Sequence, residues 1–122
     1  MKIFAPTILL LSSLASAQAP DKLPFDGKWK VHSEIAGSVN DQNCTFIQKD
    51  TQLTGKCVTE QGEVQIGGIV EGKKVSWSYN SDYNGTPLTV KYTGTLDSGS
   101  ISGDTNVDPF GVSGIFTATR SK

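Results

Sequence analysis

Few residues of this 122-residue chain could do chemistry, and the two cysteines, Cys44 and Cys57, are the most informative of them. They stand at the ends of two short alternating runs that meet at Asp50 and Thr51. A hairpin folded there places Cys44 opposite Cys57 on one face, because side chains along a strand alternate between its two faces. In an exported chain, two cysteines so placed form a disulfide, which leaves no thiol to act as a nucleophile.

The remaining candidates for catalysis are one histidine and twelve acidic residues. A hydrolytic triad needs a histidine that reaches its nucleophile, but His32 falls on the outward side of its strand, between Lys30 and Glu34. Glycoside hydrolysis needs two carboxylates that face one cleft. Asp82 and Asp108 are the only acidic pair that we expect near one opening. We therefore predict no catalytic residue, no metal or cofactor site, and a protein that is not an enzyme.

The first seventeen residues have the form of an export signal. Lys2 supplies a positive charge, residues 8–11 are apolar, and Ala15-Ser16-Ala17 matches a signal-peptidase site. The segment is too short to span a bilayer, which takes roughly 20 apolar residues. We expect a signal peptide over residues 1–17, a flexible arm over 18–24 and one domain over 25–122. The mature protein is predicted to be secreted or periplasmic.

From Lys28 onward the hydrophobic pattern has period two, which predicts strands and no helix. Eight strands are expected: 28–35, two within the 44–57 hairpin, 64–70, 74–79, 88–96, 100–107 and 112–120. Short connectors make successive strands antiparallel neighbours. Eight such strands bury their apolar faces and lose both sheet edges by closing into an up-and-down β-barrel. A two-sheet β-sandwich is the alternative.

A triplet of an apolar, a hydroxyl and a glycine residue recurs along the chain. Its four copies are Leu53-Thr54-Gly55, Tyr92-Thr93-Gly94, Ile101-Ser102-Gly103 and Val112-Ser113-Gly114. Each glycine falls on the inward face, where the missing side chain lets a coiled strand bend or an aromatic ring lie across it.

Alternating strand direction sorts the connectors into two ends of the barrel. Connectors 49–52, 71–73 and 97–99 are tight, whereas 36–43, 60–63, 80–87 and 108–110 are longer on average. The end with longer connectors is the predicted mouth. The predicted ligand-binding residues are inward near this mouth or at its rim: Ser33, Ile35, Tyr79, Tyr83, Leu88, Val90, Val107 and Phe110.

Large aromatic side chains are also predicted to face the lumen, namely Trp29, Phe46, Trp77, Tyr92 and Phe116. An eight-stranded barrel is either just filled by its own side chains or holds one small ligand. The sequence leaves both outcomes open.

Gly27-Lys28-Trp29 at the start of strand one and Arg120 at the end of the last strand resemble the calycin signature of lipocalins and avidins. The resemblance implies that Gly27, Trp29 and Arg120 form the closed end, with the arginine packed across the tryptophan. Residues 25–120 are also similar to a family of small secreted bacterial lipocalin-like domains of uncharacterised function. Further motifs carry that similarity: Gly68-Ile69-Val70-Glu71-Gly72, Val75-Ser76-Trp77 and Phe116-Thr117-Ala118-Thr119-Arg120. The chain lacks the C-terminal helix of lipocalins and any clear biotin-site pattern of avidins.

The leading functional prediction is an exported, non-catalytic binding module that holds a small apolar or amphipathic ligand at the open end. The alternative is a filled-core structural or interaction protein of the cell envelope or extracellular space, which binds a macromolecule through its loops. A formal net charge of −1 argues against a nucleic-acid partner. Asn43-Cys44-Thr45 and Asn84-Gly85-Thr86 match the glycosylation acceptor pattern.

Overall fold

A computed structural model describes residues 23–121, and β-strands form all of the regular structure in that range. The strands are β1 (Gly27–Ile35), β2 (Ser38–Lys49), β3 (Gln52–Thr59), β4 (Gly62–Glu71), β5 (Lys74–Tyr83), β6 (Thr86–Asp97), β7 (Ser100–Asp108) and β8 (Val112–Arg120). Each strand pairs antiparallel with the next, and β8 pairs with β1, so the sheet closes. The predicted eight-stranded up-and-down barrel is confirmed and the sandwich is wrong. The predicted signal peptide and residues 18–22 of the predicted arm lie outside the described residues.

The central hairpin has the predicted register. Cys44 pairs with Cys57 and Phe46 pairs with Gly55, and the two cysteines form a disulfide. Alternation explains why β2 and β3 form here, because Cys44, Phe46 and Leu53 are buried while Thr54 and Lys56 face solvent.

The connectors at the predicted mouth are much shorter than predicted: they have two, two, two and three residues, against two in each connector at the other end. At the predicted mouth, β2 begins directly after Ala36 and Gly37, and β6 begins directly after Asn84 and Gly85. Asn84 and Gly85 have φ angles of 52° and 85°, the left-handed backbone that two-residue hairpin turns require. Much of predicted connectors 36–43 and 80–87 is therefore strand. Both ends of the barrel carry tight turns, so connector length does not distinguish them.

Aromatic side chains fill the middle of the barrel. The Trp77 ring stacks on Tyr92 with centroids 5.0 Å apart, and it contacts Phe46 at 4.9 Å and Phe116 at 5.4 Å. All four side chains are buried. This layer separates the lumen into a filled half and an open half.

Phe25 closes the filled half at the end of the barrel opposite the predicted mouth. Its side chain is fully buried, its N–H donates to Oε1 of Gln48 at 3.0 Å, and its carbonyl accepts from Nε1 of Trp29 at 3.0 Å. The Arg120 guanidinium lies over the Trp29 ring, with Cζ 4.4 Å from the ring centroid. These contacts join the segment before β1 to the last residue of β8 and close this end.

Candidate functional site in the open half of the barrel

The barrel wall is split between β4 and β5 at the mouth. Their ladder begins at the turn with the pair Glu71 and Lys74 and ends at the pair Gly67 and Ser78. The rest of β4 continues to pair with β3, and the rest of β5 continues to pair with β6. The two hairpins therefore diverge, and we call the space between residues 62–66 and 79–83 the β4–β5 gap.

A cavity of about 430 Å³ occupies the open half of the barrel, above the aromatic layer and beside this gap. Its volume lies within the range of roughly 300–1,000 Å³ typical of small-molecule sites. Five aliphatic side chains from four strands form its apolar wall: Ile35, Val64, Leu88, Val90 and Val107. The barrel is thus filled in one half and hollow in the other.

The cavity floor is polar but uncharged. Tyr79, Tyr92 and Gln42 line it, and Nε2 of Gln42 donates a hydrogen bond to the Tyr79 hydroxyl at 3.1 Å. Burial raises the pKa of the Tyr92 phenol, and the neighbouring Tyr79 phenol raises it further. Both effects favour the neutral phenol, so the floor presents hydroxyl and amide groups that can donate and accept hydrogen bonds.

Three buried polar atoms near the aromatic layer have no hydrogen-bond partner among residues 23–121. They are Oγ of Ser33, Oγ1 of Thr105 and Nε1 of Trp77. Ser33 lies beside the Tyr92 phenol, and Thr105 pairs with Tyr92 across β6 and β7. Most buried polar groups in proteins are hydrogen-bonded, so three in one place distinguish this layer from the rest of the core.

The cavity mouth carries negative charge. Glu60 lies in the turn between β3 and β4, and Asp82 lies near the end of β5, so one acidic residue lies on each side of the β4–β5 gap. Uncharged polar residues complete the rim: Ser38, Asn40, Thr59, Gln61 and Ser81. Within the described range, no lysine, arginine or histidine lines the cavity, and neither acid forms an ion pair.

The structure brings most of the predicted ligand-binding residues together. Ile35, Tyr79, Leu88, Val90 and Val107 line the cavity, and Ser33 is buried next to its floor. Tyr83 and Phe110 do not line it; they form an exposed aromatic pair at the same end, with centroids 6.3 Å apart. Asp82 reaches the cavity, but Asp108 does not, so the two acids do not share its lining.

Sequence reasoning missed Gln42 and placed Tyr92 only in the filled core. The signal for Gln42 was present, because it lies two residues before Cys44 and therefore shares the inward face of β2. It was missed because residues 36–43 were predicted to form a connector, whereas β2 already begins at Ser38.

The chemistry outside the cavity is sparse. Nδ1 of His32 lies 2.7 Å from Oδ1 of Asp41, and both side chains are solvent-exposed on the outer wall. In residues 23–121, no group of three or more His, Cys, Asp or Glu side chains is arranged to hold a metal ion. The same part of the chain contains no helix that is long and apolar enough to cross a membrane.

Comparison with known proteins leaves the family open. No protein-family model matches the chain, and no curated protein matches it. The closed antiparallel barrel is compatible with a calycin-like fold. The disulfide is consistent with an oxidising extracellular or periplasmic environment.

Proposed function

We propose that this protein is an exported, non-catalytic binding module of calycin-like type that holds a small apolar or amphipathic ligand in the open half of its barrel. The observation that carries the proposal is the cavity of about 430 Å³, with an apolar wall and a hydrogen-bonding floor. Sites for small molecules combine these two features, because apolar surface supplies affinity and a few polar groups fix orientation.

The division of the barrel supports this proposal over a wholly filled core. Trp77, Tyr92 and Phe116 already supply a packed aromatic layer, and Phe25 supplies a plug below it. Above that layer the wall residues are smaller and the β4–β5 ladder ends. The side chains of the open half therefore leave part of its lumen unfilled.

The direct test is native mass spectrometry of the protein purified from the envelope or culture medium of its own host, combined with binding of a neutral fluorescent probe, N-phenyl-1-naphthylamine. We expect a bound mass that is lost on denaturation, and saturable probe fluorescence. Trp77 contacts the floor residue Tyr92, so its emission should also change, and Trp29→Phe would leave it as the single tryptophan.

A matched pair of variants ties the signal to the cavity. Val64→Trp places a large side chain in the apolar wall and should weaken probe binding at least tenfold. Val58→Trp adds the same side chain on the outer face of β3, where Val58 is exposed, and should leave binding unchanged. A clean apo mass together with no saturable probe binding would remove the proposal.

One observation favours a second function. Tyr83 and Phe110 are 63% and 46% exposed and pack against each other at the mouth. Exposed aromatic side chains contribute little to the stability of a monomer, and a patch of them can mark an interaction surface. In this alternative, the turns at the open end bind a macromolecular partner of the envelope or extracellular space. A Tyr83→Ser/Phe110→Ser variant that loses a partner while it keeps probe binding would favour it.

A further inference from the structure

We infer that the cavity selects against anions and prefers an amphipathic molecule with a cationic head group, such as a primary amine on an apolar body. This inference rests on the proposed binding function and adds the charge class of the ligand. Glu60 and Asp82, on the two sides of the β4–β5 gap, are the residues that determine it.

The charge at the cavity mouth favours a cationic head group. The two carboxylates are the only charged groups that line the cavity in the described part of the chain, and neither pairs with a cation there. Charges interact more strongly beside a low-dielectric wall than in bulk water, because less solvent screens them. An ammonium group in the gap would be attracted from both sides, whereas a carboxylate or phosphate would be repelled from both.

The order of polar and apolar groups along the cavity also favours a head group at the mouth. The apolar wall, including Val64, Leu88 and Val90, lies between the charged mouth and the uncharged floor. An apolar body therefore fits the wall, and a charged head group fits only at the mouth, where it remains partly hydrated. The floor would accommodate at most an uncharged polar group, since Tyr79, Tyr92 and Gln42 offer no charge to neutralise an ion.

The test compares three probes of one chain length: octylamine, 1-octanol and octanoate, each competing with N-phenyl-1-naphthylamine at low salt and neutral pH. We expect octylamine to compete at least fivefold better than octanol, and octanol at least fivefold better than octanoate. The differences in affinity between the three competitors should shrink at about 0.5 M salt, where screening acts within a few ångströms.

Variants locate the selectivity. Glu60→Gln/Asp82→Asn should bring the three competitors within about twofold of one another. Glu71→Gln/Asp97→Asn removes the acids that end β4 and β6 at the closed end and should leave the affinity differences between the competitors intact.

The outcomes separate the two proposals. If the neutral probe binds but octanoate competes as well as octylamine, the charge inference is wrong and the binding function stands. The same holds if the affinity differences are insensitive to salt in the unaltered protein, a result that does not depend on any variant. If the neutral probe does not bind and none of the three compounds raises the melting temperature, both proposals fail.

Discussion

At the scale of single residues, Gly67 and Gly68 show how closely the backbones of β4 and β5 approach each other. They are neighbours on β4 but face opposite sides of the wall. A Cβ at Gly68 would collide with the backbone carbonyl oxygen of Ser76 on β5, whereas a Cβ at Gly67 would have nothing within 4 Å. An inward glycine thus allows the two backbones to approach where any side chain would separate them.

We predict that Gly68→Ala lowers the free energy of unfolding by about 1–3 kcal/mol, the usual cost of overpacking a well-packed site. Gly67→Ala should be neutral or stabilising by less than about 1 kcal/mol, because alanine reduces the entropy of the unfolded chain. Urea unfolding of both variants measures the difference. Equal effects at the two positions would show that β4 and β5 can separate without cost.

Tyr92 makes stability depend on pH. Burial raises the pKa of its phenol above the ordinary value of about 10, so above pH 10 the unfolded chain loses a proton that the folded protein keeps. Stability from this group is complete below pH 10 and falls above it, by up to about 1.4 kcal/mol per pH unit.

In Tyr92→Phe, the free energy of unfolding should therefore fall less steeply between pH 10 and pH 11.5, with a slope smaller by up to about 1.4 kcal/mol per pH unit. Urea unfolding at a series of pH values from 9 to 11.5 gives the slope. Tyr83→Phe changes an exposed tyrosine at the rim and serves as the control, with the slope of the unaltered protein. Parallel slopes for Tyr92→Phe and the unaltered protein would contradict the burial of this phenol.

At the scale of the elements, the β4–β5 gap is the feature that distinguishes the open half of the barrel from the closed half. The two-residue turn makes Glu71 and Lys74 a hydrogen-bonded pair, so alternate amides of β4 point toward β5. Consistent with this, the intervening Val70 N–H donates to Thr51 on the β3 side at 2.8 Å. The next amides of this series beyond the ladder belong to Gln65 on β4 and Asn80 on β5, and both point into the gap.

We predict that the Gln65 and Asn80 amides exchange with solvent at least a hundredfold faster than those of Ile69 and Ser76, which point the same way but lie within the ladder. Residue-resolved hydrogen exchange by NMR measures this. Equal protection would mean that the barrel wall is closed in solution along the whole of β4. Slower exchange of Gln65 and Asn80 on addition of a binding probe would place the ligand beside the gap.

The elements were predictable from the sequence wherever an apolar residue marked every second position. The hairpin register around Cys44 and Cys57 followed from such a run, and so did the inward glycines. The strand ends at the mouth were not predictable in this way, because Ser38, Asn40 and Ser81 occupy cavity-lining positions without apolar side chains. The β4–β5 gap had no local signal, since it depends on where two hairpins diverge in space.

At the scale of the whole molecule, the packed core and the proposed binding cavity lie in opposite halves of one barrel. The closed half holds Phe25, Trp29 and the aromatic layer. The open half has a shortened ladder, a hollow lumen and two acids that form no ion pair with any of residues 23–121. Contacts at the closed end should therefore change global stability and leave binding unaltered, and the Arg120 clamp offers a direct test.

Arg120 closes the barrel by three contacts at once. It lies over Trp29 on β1, and it donates hydrogen bonds to the carbonyl oxygens of Asp26 at 2.8 Å and Pro24 at 2.7 Å. The planar guanidinium can stack on a ring and use its edge N–H groups in the same geometry, which a lysine ammonium cannot do. The clamp thus holds the last strand, the first strand and the segment before it together.

We predict that Arg120→Ala lowers the free energy of unfolding by about 1–3 kcal/mol, the combined loss of a partly exposed cation–π contact and two hydrogen bonds. Arg120→Lys should recover less than half of that loss, because it keeps the charge but not the planar fork. Urea unfolding measures both variants, and N-phenyl-1-naphthylamine binding to the folded variants should match that of the unaltered protein.

Full recovery by lysine would show that charge alone holds this end. A loss of probe binding in the folded Arg120→Ala protein would show that the two halves of the barrel are coupled through the aromatic layer, against the division argued from the positions of Trp77 and Tyr92.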